Sequence, residues 1–273
     1  MVLLAPRGAC LKPFSGAVTF SDGVHGELMG EMQRLRGEIY LSDGAIQSSQ
    51  LTERRHVSSC DVDSWHLLTM RADGTIVGCV RFLRHPNTVR CHQLRVSDAP
   101  LAHTGNWAAD FACSVNAELE AARRFNFSYV EIGGWALAPE LRGSAEAINT
   151  VLSTYALAQL QGGALGITTA TERNGSASIL RRLGGRSLEW DGAALPPYYD
   201  PAYRCGMEVL RFDSRHPNAR YAPIVDALRA QLAALPVFCP NEAPAGEKTA
   251  GLFSSLMQGF TQTRAVAPAF SEA

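Results

Sequence analysis

The chain has 273 residues, 46% of them hydrophobic, which is enough apolar material for one large domain or two small ones. A formal net charge of −1 supplies no global field to draw in nucleic acid or an anionic membrane. Seven cysteines, at 10, 60, 79, 91, 113, 205 and 239, show no Cys-x-x-Cys spacing, which argues for free thiols in a reducing compartment rather than zinc or a disulfide framework.

No run is long and apolar enough to cross a membrane. The opening MVLLAPRGACLKP is broken by Pro6 and Arg7 and does not read as a signal segment. The expected compartment is the cytoplasm.

Residues 1–22 mix Gly, Pro and Ser with short apolar patches and are expected to run extended over the surface. Leu28, Met32, Leu35 and Ile39 predict a helix from Val24 to Tyr40. Gln47 to Ser59 reads as a polar loop. Ser64 to Arg71 and Thr75 to Leu83 read as strands joined by Asp73-Gly74, a strong hairpin signal. Phe111, Val115 and Leu119 form the stripe of a helix from Trp107 to Arg124.

Tyr129 to Leu137 is a strand stopped near Pro139. Arg142, Gly143, Ser144 and Ala145 then run into a helix carrying Ile148, Leu152 and Tyr155 on one face, closed by Gly162-Gly163. Leu165 to Ala170 is a strand beside the first, and Arg173 to Leu183 a short helix. Ser187 to Trp190 and Tyr203 to Asp213 are closing strands. Ala219 to Leu235 is a helix with Ile224, Leu228 and Leu232 inward. One domain is expected over residues 1–239, with its core at about 24–213, followed by a flexible or loosely packed tail at 240–273. In that tail Leu252, Phe253, Leu256, Met257 and Phe260 could form a short amphipathic helix.

The turn from Arg142 to Ala145 carries chemical meaning. A strand feeding a helix through small residues leaves the first helical N–H groups without internal partners, and the helix dipole adds partial positive charge there. Such a turn suits a phosphate. The segment resembles the acyl-donor site of the GNAT N-acyltransferase superfamily, Arg/Gln-x-x-Gly-x-Gly/Ala. Here it reads Arg142-Gly143-Ser144-Ala145-Glu146-Ala147, with Ala145 where the family prefers Gly. RNGSASILRRLGG, from Arg173 to Gly185, resembles the family's second motif, in which Asn174 and Ala177 would meet a pantetheine arm. Leu180 and Arg181 stand where many acetyltransferases carry a tyrosine acid. Tyr198, Tyr199 and Tyr203 are then candidates for that role, or packing and turn residues.

Three stretches, QRLRGEIYLSDG, CDVDSWHLLTMRADGTIVGCVRFL and LPPYYDPAYRCGMEVLRFD, resemble the N-acyl amino acid synthases, relatives of the acyl-homoserine-lactone synthases. The resemblance implies an α/β GNAT fold. Its central twisted sheet is mixed and mostly antiparallel, splayed between the family's fourth and fifth strands and flanked by helices. It also implies transfer of a medium- or long-chain acyl group to the amine of an amino acid. The donor would be an acyl carrier protein, through its phosphopantetheine, or acyl-coenzyme A, with no tightly bound cofactor. An acetyl-coenzyme A-dependent acetyltransferase and a non-catalytic acyl-binding module remain alternatives.

For the chemistry, Glu131, the only carboxylate in the central strand, is expected as general base with a raised pKa, or else as a salt-bridged or surface strand residue. The N–H of Leu137 would meet the oxyanion. Leu137, Arg142, Gly143, Ser144, Ala145, Asn174 and Ala177 would hold the donor. Arg36, Asp61, Asp63, Arg81, Arg84 and Trp135 would line the acceptor side, where Asp61 and Asp63 could bind the acceptor amine or an Arg, with ordinary surface roles as the alternative for the charged ones. His56, His66 and His92 lack metal-like spacing. Arg84 to Arg95, with Arg181, Arg182 and Arg186, form either a local basic patch that would steer an acidic carrier protein or a scattered solvated face.

Overall fold

The computed structural model describes residues 1–241. In chain order the elements are β1 (Val2–Leu4), β2 (Val18–Phe20), α1 (Asp22–Ser42), β3 (Trp65–Met70), β4 (Ile76–His85), α2 (Ala108–Arg124), β5 (Ser128–Leu137), α3 (Ala145–Leu160) and β6 (Ala164–Thr171). There follow α4 (Ser176–Leu183), β7 (Arg186–Ser187), β8 (Glu189–Trp190), β9 (Ala193–Ala194), β10 (Tyr198–Asp200), β11 (Cys205–Asp213), α5 (Ala222–Ala233) and β12 (Val237–Cys239). The sheet runs β10-β11-β6-β5-β4-β3-β1-β12-β2, with β7 also on β11. Most neighbours are antiparallel; β5–β6, β1–β12 and β12–β2 are parallel. The mixed, mostly antiparallel sheet is the one expected.

Strand alternation sorts the core into faces. Val80, Phe82 and Val130 pack with α3 and α5. Tyr129 and Ile167 pack with α2, and Leu68, Cys79 and Ala136 with α1. The periodic helices and the Asp73-Gly74 hairpin lie within a few residues of their predicted bounds.

The first residues differ from expectation. They were expected on the surface, yet Leu3 and Leu4 are 0% exposed, on a strand between β3 and β12. Strands of three residues are too short to show a period, and their burial depends on partners more than 200 residues away in the chain. The amphipathic stretch foreseen at 252–260 lies outside the described residues.

Two features of the sheet position the site. β5 and β6 pair only from Ser128 opposite Ala164 to Glu131 opposite Ile167, after which β5 continues to Leu137 and β6 to Thr171 without pairing. On the other side of β5, Arg81 faces Gly133 while Cys79 faces Ala136, so β5 carries one extra residue. At this bulge Gly134 has φ +62°, the left-handed region that costs a side-chain-bearing residue about 1–2 kcal/mol. A bulge bends its strand, and β5 leaves β6 just beyond Glu131. The splay is where the resemblance placed it.

Candidate active site

The upper end of the gap is the turn into α3. The hydroxyl of Ser144 accepts from Ala147 N–H at 3.3 Å and donates to Leu141 O at 2.7 Å, capping the helix. The N–H groups of Gly143, Ala145 and Glu146 have no partner among the described residues. Gly143 has φ +77°, and nothing lies within 4 Å of where a Cβ would stand, so the loop backbone is open to a close approach. Arg142 reaches across to Asp43, with Nη2 at 2.8 and 3.0 Å from the two carboxylate oxygens.

Below the turn a cavity of about 570 Å³ follows the gap. Arg142, Gly143, Leu137, Trp135 and Asn174 are in its wall. Ser144 and Ala145 contribute the cap and backbone outside that wall, and Ala177 is buried against Ala170 and Leu210 instead of facing the cavity. Val80, Ile132 and Val151 come from the core under α3, Ile167 and Tyr198 from the core under α2. The cavity therefore passes through the sheet. Leu137 stands opposite Gly78, and the next N–H, of Ala138, donates to Val77 O. N–H directions alternate along an antiparallel pair, so the Leu137 N–H points away from β4 and into the gap.

Glu131 is the last residue of β5 paired with β6 and sits at the fork. It is 6% exposed and lines the cavity. Its Oε1 meets His85 Nε2 at 2.8 Å and Arg95 N–H at 2.9 Å, and its Oε2 accepts from Val96 N–H at 2.8 Å. Burial alone would raise its pKa, but these bonds prevail and hold the carboxyl below its usual value. The expected upward shift is therefore corrected: Glu131 is a hydrogen-bonded strand carboxylate that pins the Arg95–Asp98 turn over the sheet.

Arg36 is also corrected, and Asp61 takes the reading in which it binds an arginine. Both are 1% exposed and bind each other instead of facing a ligand. Asp61 further accepts from Gln33 Nε2 and Ser58 N–H, each at 3.0 Å. Burial opposes its ionisation, but Arg36 outweighs it and the carboxyl is held well below the usual range. Arg81, 3.6 Å from Asp61, has the looser bond and does line the cavity. Asp63 and Arg84 do not join it. They edge a separate hollow of about 670 Å³ with Arg7 and Trp65, and Arg84 Nε donates to Ser128 Oγ at 2.6 Å. The basic patch is likewise dispersed in part, since Arg181 binds Glu208 and Ser187.

The sequence reading assigned no role to Tyr40 or to the backbone N–H of Arg95, and left Tyr198 and Tyr203 undecided. Tyr40, Tyr198, Tyr203 and Arg95 all line the cavity. Burial raises the pKa of all three phenols, which keeps them protonated at neutral pH. The Tyr198 hydroxyl, Trp135 Nε1 and Arg81 Nε are buried with no hydrogen-bond partner among the described residues. Each leaves a buried polar donor unsatisfied on a residue of the cavity wall. Tyr40 follows Arg36 by four residues on α1, a spacing that marks one helical face.

Among the described residues no group of three His, Cys, Asp or Glu side chains could hold a metal ion, and no helix is long and apolar enough to cross a membrane. No family model matches the sequence, and no curated protein matches it. Solved structures do. The CoA-dependent acyl-homoserine lactone synthase BjaI, solved with MTA, is 14% identical with a TM-score of 0.51 over 84% of this chain and 94% of its own. TofI, solved with an inhibitor and MTA, is 17% identical with a TM-score of 0.50 over 74% and 93%. FeeM, an N-acyl amino acid synthase from uncultured soil microbes, is 11% identical with a TM-score of 0.43 over 69% and 86%. The first two likenesses, read with the splayed sheet, establish that this chain has the GNAT-type fold found in acyl-homoserine lactone synthases.

Proposed function

We propose that the protein is an N-acyltransferase that moves a medium- or long-chain acyl group from a pantetheine thioester to the amine of an amino acid. The observation that carries this reading is the cavity through the sheet. It joins a phosphate-suited helix start to an unzipped strand edge and then to an apolar interior.

The donor's phosphate would meet the free N–H groups of Gly143, Ala145 and Glu146, and its pantetheine arm would lie beside β5 as an added strand, with Asn174 on its flank. The thioester carbonyl would accept from the Leu137 N–H. Val80, Ile132, Val151 and Ile167 give the acyl chain an apolar path longer than an acetyl group needs. Arg81 and Arg95 suit the acceptor's carboxylate. The ammonium gives up two protons as its nitrogen bonds to the carbonyl carbon and the C–S bond breaks. One proton is taken up by the leaving thiolate and one passes to solvent. A cavity phenol can relay the thiolate's proton, giving its own to the thiolate and taking one from the ammonium in its place. Glu131 at the fork, ionised at neutral pH, attracts the ammonium.

The sheet is continuous from Val2 to Cys239, which supports one acyltransferase domain over residues 1–239. The thiols of Cys10, Cys60, Cys79, Cys91, Cys113 and Cys205 are free, which supports a cytoplasmic setting. The test is to incubate the purified protein with acyl-coenzyme A and acyl carrier protein donors, from acetyl to palmitoyl, together with pooled amino acids. SAM, named with isopentyl-CoA in another BjaI structure, joins the acceptors. Mass spectrometry should find N-acyl amino acids from the longer donors. Acetylated products alone, acylated lactones alone, or no product from any donor overturns the proposal.

A further inference from the structure

Asp43 stands where an acidic residue is unfavourable. It caps the C-terminus of α1, the negative pole of the helix, whose last turn carries no basic residue. Its carboxylate is nevertheless 19% exposed and held in the cavity wall, both oxygens on Arg142 Nη2. The next residue, Gly44, lends its carbonyl to Arg173 Nη1 at 3.3 Å. The end of α1 is thereby tied to the turn before α3 and to the loop before α4. Arg142, 47% exposed, is the cation of the phosphate-suited turn, and its charge is already met by a carboxylate.

We propose that Asp43 is a specificity-determining residue of the donor site, a built-in competitor that a donor's phosphate must displace from Arg142. The inference rests on the donor reading above. An anion arriving at Gly143 meets Arg142 already neutralised, and Glu146 adds a second negative charge in the first turn of α3. Asp43 therefore sets a threshold that rises with the donor's charge. Coenzyme A, with its several phosphate charges, is held back most, and phosphate-free pantetheine is not affected.

Calorimetric titration of the full chain tests this, with coenzyme A and pantetheine as probes. Asp43→Asn keeps the shape and removes the competing charge. It should tighten coenzyme A binding on the order of fivefold, the scale of one partly exposed ion pair, and leave pantetheine unchanged. In an Arg142→Gln background the same change should have no effect on coenzyme A. Thermal melts of each variant confirm folding. Measurable coenzyme A binding with equal affinity in wild type and D43N, or a fivefold gain that persists without Arg142, overturns the competition alone. Coenzyme A bound no better than pantetheine in both wild type and D43N overturns the donor reading, and the competition falls with it.

Discussion

The guanidinium of Arg36 and the carboxylate of Asp61 meet through two hydrogen bonds, Nη1 to Oδ1 at 3.0 Å and Nη2 to Oδ2 at 2.6 Å. The pair joins α1 to the loop before β3, and Arg81 shares its carboxylate at 3.6 Å. Removing the carboxylate leaves two guanidinium groups facing each other in a nearly dry site. Asp61→Asn should therefore cost about 3–5 kcal/mol of stability, as loss of one partner of a buried pair does. Urea unfolding at neutral pH measures this, and a cost below about 1 kcal/mol would show the pair to be better solvated than its burial indicates.

His66 makes the same region sensitive to acid. It is 0% exposed with Nε2 at 2.8 Å from Asp61 O, and burial pulls its pKa down to about 4 from 6.5. Between those values the unfolded chain binds a proton that the folded chain refuses, so stability falls as pH drops. Asp61 acts in the same direction lower down: its depressed pKa gives stability that is present above the unfolded value and lost as pH falls through the folded one. His66 alone should remove roughly 3 kcal/mol by about pH 4. Burial also pulls His56 down to about 4, so His66→Gln should lessen the slope of the stability profile between about pH 6.5 and pH 4 without abolishing it, as followed by urea melts across that range.

Gly134 tests the bulge. A Cβ there would lie 3.2 Å from Arg36 Nη1 and 3.3 Å from Arg81 Cβ, on a backbone at φ +62°. Gly134→Ala should cost about 2 kcal/mol and raise KM for the acceptor more than for the donor, because Arg81 must shift. Gly143→Ala meets no neighbour and should cost about 1 kcal/mol in folding, from its backbone alone. Its effect should fall on donor KM, because the new methyl group stands where a phosphate approaches. Melting curves and the two KM values separate these outcomes.

Ala170 lines the cavity from β6 and is 3% exposed. Ala170→Leu should fill part of the apolar path and move the product profile toward shorter acyl chains, read by mass spectrometry with a mixture of donors. An unchanged profile would place the chain elsewhere.

Much of this architecture could be read from local pattern. The helices of α1, α2, α3 and α5 repeat their apolar residues at helical spacing, Asp73-Gly74 marks its hairpin, and Gly133-Gly134 flags an irregular strand. The strands that complete the sheet could not be read so, because three buried residues carry no period. The site was half legible. Arg142, Gly143 and Asn174 follow from the turn and the motif. Arg81 and Arg84 are an odd number apart on one strand, so alternation alone would have sent them to opposite faces. For Asp61 and Glu131 the sequence left two readings open, because their partners come from distant segments, Arg36 on α1 and the Arg95–Val96 backbone, and no spacing rule links them.

The strand made of Val2, Leu3 and Leu4 lies between β3 and β12, so one of its two hydrogen-bonding edges waits for Val237 to Cys239. On the ribosome those partners emerge last among the described residues. Until they do, a nascent chain carries an unsatisfied apolar edge that another unfinished chain could join. Synthesis of this protein thus has a built-in interval of vulnerability, closed only when the second of the two short strands arrives.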